Sequence, residues 1–303
     1  MKARSQPSAP PFPLSPKAML LREEPLAPLT SFGIGGPAEW LLLPAVVEDF
    51  REAVRFAASR MLPWRILGSG TNVLIPDEGL RGLTIKPWLR FSEITIEGTQ
   101  LRAQAGATMW GASRDAAENA LSGLEWACGI PGSVGGAVLM NAGVKEYEIK
   151  DVLAAAIVLR RDGFIEQRTP QDLALEYRSS ALQQDGGVVL EATFSLQRGD
   201  ESQIYNLMND FLQKRRQTQP LNKPNCGSVF RNPPGDHAGR LIEAAGCKGL
   251  KRGGMQVSEL HANFIVNTGG GSAKDVLALV EEIKRRVYDK SGVTLEMEMR
   301  ILE

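Results

Sequence analysis

Histidine and cysteine are scarce in this 303-residue chain, which holds only His237, His261, Cys128, Cys226 and Cys247. None of them falls in a CxxC or HxxxH spacing, which argues against a zinc centre and against a disulfide framework. Free thiols fit a reducing, cytoplasmic setting. Net charge is missing as well. Lys plus Arg and Asp plus Glu each number 35, giving a charge of +0 at pH 7, so the electrostatic footprint of a dedicated nucleic-acid or anionic-membrane binder is absent. Any anionic ligand has to be held locally. Long apolar runs are lacking too. The longest, Leu153 to Leu159, falls far short of the ~20 residues that cross a bilayer, and the N-terminal stretch has no signal-peptide apolar core.

What is present is a composition of 43% hydrophobic and 23% charged residues, that of a chain able to bury two packed cores. Residues 1–21 carry Pro7, Pro10, Pro11, Pro13 and Pro16 among small polar residues, a composition that predicts a disordered leader. Beyond it, short β-like runs alternate with helical stretches. Val46, Phe50, Val54 and Ala57 recur at helical spacing. Trp64 to Leu67 reads as a short strand running into Gly68-Ser69-Gly70-Thr71-Asn72. Strands are expected at Leu83 to Lys86, Ile94 to Glu97, Leu101 to Ala105 and Val188 to Leu196, with a helix from Thr108 to Ala120. Val152 to Arg160 and Phe164 to Arg168 flank Arg161-Asp162-Gly163, where Asp-Gly predicts a tight hairpin turn.

A helix with Ile204, Met208, Phe211 and Leu212 on one stripe leads to a Gln/Pro-rich connection, Gln217 to Pro224. A short helix around Arg240 to Ala245 and a strand at Ala262 to Val266 should follow. Next comes a helix capped by Ser272 with Asp275 three residues on. Leu295, Met297, Met299 and Ile301 alternate with Glu296, Glu298 and Arg300, the pattern of a closing half-buried strand. The class is α+β in two lobes. The expected division is a leader at 1–21, an N-terminal domain at 22–200 and a C-terminal domain at 201–303.

Two glycine-rich loops stand out: Gly68 to Asn72, and Gly129-Ile130-Pro131-Gly132-Ser133-Val134-Gly135-Gly136. Glycines let main-chain N–H groups close around an oxyanion without net positive charge, and two such loops suit a dinucleotide pyrophosphate. No G-x-x-x-x-G-K-[ST] occurs, which excludes a P-loop. Gly33-Ile34-Gly35-Gly36-Pro37-Ala38 matches G-x-G-x-x-A, but no long apolar strand precedes it and Pro37 stands where the helix should open.

Taken with Thr30-Ser31-Phe32-Gly33, Met140-Asn141-Ala142-Gly143, Tyr177-Arg178-Ser179-Ser180, Cys226-Gly227-Ser228-Val229-Phe230-Arg231-Asn232-Pro233, Gly239-Arg240-Leu241-Ile242, His261-Ala262-Asn263-Phe264 and Leu295-Glu296-Met297-Glu298, these loops make the chain from about Leu26 onward resemble the UDP-N-acetylenolpyruvoylglucosamine reductase family. The Tyr-Arg-x-Ser form is similar to its shorter, type II branch. The resemblance implies a two-subdomain FAD-binding lobe of the vanillyl-alcohol-oxidase type and a C-terminal α+β substrate lobe. It also implies NADPH as reductant and a UDP-sugar enolpyruvyl ether as substrate.

Residue by residue, the resemblance places Arg178 against the negative charge that develops on the substrate, Ser228 as proton donor and Glu298 as the third catalytic group. Gly68, Ser69, Gly70, Thr71 and Asn72 would face the FAD pyrophosphate, with Gly132, Ser133 and Gly136 in the second loop. Tyr177, Asn232 and His261 are substrate-contact candidates. No histidine lies near either loop, so the FAD is expected to be non-covalent. Cys226 reads as a small buried thiol rather than a nucleophile. The chain is expected to act as a monomer or weak oligomer. An FAD-dependent oxidase on the same scaffold, or a flavin-binding protein without turnover, is the alternative. Ser228 and Glu298 argue against the oxidase, which needs a base rather than a proton donor.

Overall fold

The computed structural model describes residues 10–144 and 146–303. The class is α+β, and the chain forms two compact units that interleave along the sequence. The first contains residues 10–24 with Ala38–Gly68 and Arg81–Tyr205, and the second contains Pro25–Pro37, Ser69–Leu80 and Asn206–Glu303. The contiguous division at 200/201 is therefore corrected. Two short N-terminal segments supply core and capping groups to the C-terminal unit, and nothing in their local composition marks that destination.

In the first unit, one sheet has the strand order Met19–Pro25, Pro37–Leu43, Leu80–Ile85, Trp64–Ile66, the last two running parallel. Helix α1 (Val47–Ser59) buries Phe50, Ala53, Val54 and Ala57 in a core with Leu42, Leu83 and Ile85. The second sheet is antiparallel, in the order Ile165–Arg168, Leu153–Leu159, Val188–Ser195, Gln100–Gln104, Ile94–Glu97. At the predicted hairpin, Arg160 N–H donates to Phe164 O at 2.8 Å and Gly163 has φ +85°. Helices α2 (Met109–Glu118), α3 (Val134–Leu139) and α4 (Leu182–Asp185) follow. Helix α5 (Glu201–Thr218) runs on into the second unit.

The disordered leader is corrected for its described part, while residues 1–9 of that expectation lie outside the described residues. Phe12 is only 7% exposed and stacks on Phe56 with ring centroids 4.8 Å apart. Ser15 donates its N–H and hydroxyl to the Asp49 carboxylate at 2.7 and 2.8 Å, and Met19 already belongs to a strand. Proline excludes helix here, but it does not prevent an extended segment from docking through one aromatic ring and one hydroxyl.

In the second unit, helices α6 (Ala238–Ala244) and α7 (Ala273–Ser291) pack with a three-stranded antiparallel sheet, Lys251–Arg252, Met255–Val257 and Ile265–Asn267. The predicted capping box is present. Ser272 Oγ accepts from Asp275 N–H and the Asp275 carboxylate accepts from Ser272 N–H, both at 3.1 Å. Val276, Leu279, Val280, Ile283 and Val287 face a core that also takes in Phe32, Ile34 and Leu74. The expected strand at Ala262 to Val266 starts later, at Ile265. The expected closing strand is a ladder only at Arg300–Ile301, parallel to Val73–Leu74. Its alternation survives in part in burial, with Leu295 and Met299 buried and Glu296 exposed. Among the described residues, no helix is long and apolar enough to cross a membrane.

Candidate active site

The first glycine loop leaves the strand Trp64–Ile66 with its carbonyls tied to the protein. Lys86 Nζ donates to Gly68 O, Ser31 N–H donates to Gly70 O at 3.0 Å, and Arg300 N–H donates to Asn72 O at 3.0 Å. The N–H groups of Ser69, Gly70 and Thr71 have no protein acceptor among the described residues. Because the trans peptide sets C=O and the following N–H in opposite directions, anchoring the Gly68 and Gly70 carbonyls turns the Ser69 and Thr71 N–H groups away from their anchors. Both anchors leave little room for a side chain. A Cβ on Gly68 would stand 2.7 Å from Ser133 Oγ, and Gly70, at φ +71°, would put one 2.5 Å from Leu29 O. A loop of close backbone approach with unpaired N–H groups is the donor set that a diphosphate takes up, so the residues present fit the FAD pyrophosphate.

The second loop differs from a bare nest. Ser133 is buried and caps α3, its hydroxyl accepting from Gly136 N–H at 3.4 Å. Val134 and Gly135 N–H donate to Ala107 O and Ala105 O at 2.8 and 3.0 Å. Those two donors are thus committed to the protein, and Gly132 O accepts from Met109 N–H at 2.9 Å. What this loop offers a ligand at the Gly68 side is the Ser133 hydroxyl.

Arg178 sits in the first unit, at the third position of a tight turn. Glu176 and Ser179 exchange backbone hydrogen bonds of 3.2 and 3.0 Å, and Arg178 has φ +55°, a conformation that costs a side-chain-bearing residue energy. Such strain concentrates at functional sites. The guanidinium lies 5.1 Å from the ring centroid of Tyr177, itself exposed, and Nη2 donates to Gly143 O at 3.0 Å. Buried Asn141, also at positive φ, supports the turn by donating to Glu176 O at 3.0 Å and to Glu148 Oε2 at 3.1 Å. Its role was not legible from the motif Met140-Asn141-Ala142-Gly143, because its partners stand up to 35 residues away.

Ser228 and Glu298 come together in the second unit. Glu298 N–H donates to Val229 O at 2.9 Å, Phe230 bridges Met297, and Arg231 N–H donates to Glu296 O at 2.9 Å. Asn263 is buried and holds the Ser228 segment from the other side. Its Oδ1 accepts from Phe230 N–H at 2.9 Å and its Nδ2 donates to Phe230 O at 2.8 Å. Asn72 of the first glycine loop donates to Glu298 O at 3.1 Å. Burial, with Glu298 nearby, pushes the Cys226 thiol up to about 12, which makes it a poor nucleophile at neutral pH.

The remaining candidates have evident local duties. Asn232 is exposed, and its Oδ1 accepts from Ala238 N–H at 3.0 Å at the start of α6. His261 is half-buried, with Nδ1 accepting from Asn263 N–H at 3.2 Å and its ring edge-on to Phe264. Burial lowers its pKa, which favours the neutral imidazole.

Comparison with known proteins gives the family of the chain. A model of the C-terminal domain of UDP-N-acetylenolpyruvoylglucosamine reductase matches residues 219–302, and an FAD-binding-domain model matches residues 38–167. The reductase of Alkaliphilus oremlandii is 40% identical over 287 residues, 95% of this chain and 94% of that one. Reductase 2 of Symbiobacterium thermophilum is 43% identical over 280 residues, 92% and 91% of the two chains. The crystal structure of UDP-N-acetylenolpyruvylglucosamine reductase (MurB) from Thermus caldophilus matches at 36% identity and a TM-score of 0.81, covering 95% of this chain and 99% of that one. By sequence along nearly its whole length, and by fold, the chain belongs to the UDP-N-acetylenolpyruvoylglucosamine reductase family.

Proposed function

We propose that this chain reduces UDP-N-acetylglucosamine enolpyruvate to UDP-N-acetylmuramate with NADPH, in the cytoplasm, as a step of peptidoglycan precursor synthesis. FAD, which the Gly68–Asn72 loop would hold, would supply the hydride chemistry between NADPH and the terminal carbon of the enolpyruvyl group. The protein's own task is then electrostatic and acid–base. Hydride addition leaves negative charge on the adjacent carbon, delocalised into the carboxylate as an enediolate. The Arg178 guanidinium, fixed in its strained turn, meets that charge with rigid donors. Ser228 gives its hydroxyl proton to the adjacent carbon. A serine is a weak acid, so this step needs the strongly basic enediolate as acceptor. Glu298, on the segment bonded to Val229, polarises the substrate carboxylate or helps to steer protonation. Tyr177, Asn232 and His261 are proposed as contacts to the UDP-sugar.

The observation that most supports this reading is the backbone pairing of residues 229–231 with residues 296–298. It joins a serine and a glutamate far apart in sequence into one local structure. Two measurements test the reading. NADPH oxidation by the purified yellow protein is expected to require the enolpyruvyl substrate, and equal consumption without it would overturn the assignment. In Ser228→Ala, flavin reduction by NADPH should persist while substrate-dependent reoxidation slows by ~10²–10⁴-fold. Full reoxidation in that variant would remove Ser228 as the proton donor.

A further inference from the structure

Lys86 is a buried lysine that the proposed chemistry does not use. It follows the strand Leu80–Ile85, is 2% exposed, and directs Nζ to the carbonyl of Gly68. Its remaining neighbour of note is the Trp88 ring, 5.6 Å from Nζ to the centroid. Among the described residues no carboxylate lies within ion-pair distance of it.

We propose that Lys86 is a positioning residue for the flavin diphosphate: its ammonium holds the Gly68 carbonyl inward, which turns the Ser69 N–H toward the anion, and it supplies the buried counter-charge beneath the loop. The proposal rests on the flavin reading above. Of the three anchors on the loop carbonyls, Ser31 acts through its backbone N–H and hydroxyl and Arg300 through its backbone N–H, all neutral donors, and only Lys86 brings a charged one. A buried cation without a counter-ion is costly, and a methionine of similar volume would fill the same space at no electrostatic cost. Burial is the sole cause that lowers the Lys86 pKa, to about 8, with no neighbouring ionisable group opposing or assisting it. An anion bound over Gly68 would return the ammonium to full protonation.

The test uses full-length holoenzyme, with FAD as the probe. Flavin release on serial dilution is followed by free-FAD fluorescence, and folding by circular dichroism. Lys86→Met and Lys86→Gln are expected to raise the apparent Kd for FAD about 10-fold or more with native dichroism, whereas Lys86→Arg should stay within about 3-fold of wild type. The glutamine variant separates charge from hydrogen bonding, because it keeps a donor without the cation. If both neutral variants hold FAD as wild type does, the proposal fails. Wild type alone carries an independent test. Between pH 8 and 9.5 its Kd for FAD should climb toward tenfold per pH unit, because binding requires the protonated amine, and a flat profile would overturn the assignment. A wild-type protein that binds no FAD would instead refute the flavin reading itself.

Discussion

Asparagine and aspartate side chains, rather than the candidate catalytic groups, set the backbone around the site. Asn263 satisfies both the N–H and the C=O of Phe230. Removing its amide in Asn263→Ala leaves two buried polar groups without partners, at a cost of about 2–4 kcal/mol. A denaturant midpoint unchanged from wild type would show that water takes over both bonds. Asp49 plays a similar part at α1. Burial raises its pKa, but hydrogen bonds from the N–H groups of Ser15, Ala45 and Val46 and from the Ser15 hydroxyl outweigh that and hold it below its usual 3.8. A carboxyl with a depressed folded pKa stabilises the protein above its unfolded value and loses that contribution as pH falls through the folded one. Wild type should therefore exceed Asp49→Asn in stability at pH 5 and above, with the gap closing as pH drops below 3.8. A gap that persists at pH 2 in acid titration would contradict the assignment. The Asn263 role was not legible in the sequence, because its partner stands 33 residues away, and for Asp49 only the bonds from Ala45 and Val46 are local, while those from Ser15 cross 34 residues. The inert Cys226 was legible, since a thiol flanked by Asn225 and Gly227 with no histidine beside it has nothing to activate it.

At the scale of elements, legibility follows the range of the interactions. The Ser272/Asp275 cap of α7 and the Asp162-Gly163 turn are local, and both could be read directly from spacing. The second cap on α7 could not. Asp77 accepts from Ala273 N–H at 2.7 Å and Lys274 N–H at 3.1 Å across 196 and 197 residues. A carboxylate on the first-turn N–H groups meets both their unsatisfied hydrogens and the positive end of the helix dipole. Asp77→Ala should accordingly destabilise the protein by about 1–2 kcal/mol. Thermal unfolding checks this, and Asp77→Asn should recover part of the loss through hydrogen bonding alone. The closing segment shows the complementary failure. Its alternation holds for buried Leu295 and Met299 and exposed Glu296, while Met297 and Ile301 are no more buried than Glu298 and Arg300, and residues 296–299 bond to Val229 and Arg231 as an irregular crossing rather than as a strand. Period-two patterning reports which side chains are buried, whereas ladder formation depends on a partner the pattern does not name.

For the whole molecule, the interleaved units mean that groups that pack together are gathered from distant parts of the chain rather than from one contiguous stretch. The α+β class and the two glycine loops were legible, but the membership of the second unit was not. Composition distinguishes core from surface without saying which core a short segment joins. That membership has a measurable consequence. A fragment of Asn206–Glu303 contains the whole stretch matched by the C-terminal family model, and a contiguous reading would have it fold alone. It lacks Phe32, Ile34 and Leu74 from its core, the strand partner Val73–Leu74 of Arg300–Ile301, and the Asp77 cap. Losing three buried side chains at roughly 2–4 kcal/mol each, beyond the cap, is comparable to the ~5–15 kcal/mol by which a native domain is stable. The isolated fragment should show no cooperative thermal transition and a poorly dispersed amide spectrum. Supplying the missing segments through short linkers, as residues 25–37 and 69–80 fused ahead of 206–303, should restore a cooperative transition. A sharp transition in the unassisted fragment would mean that Phe32, Ile34 and Leu74 are accessory to a core already sufficient without them.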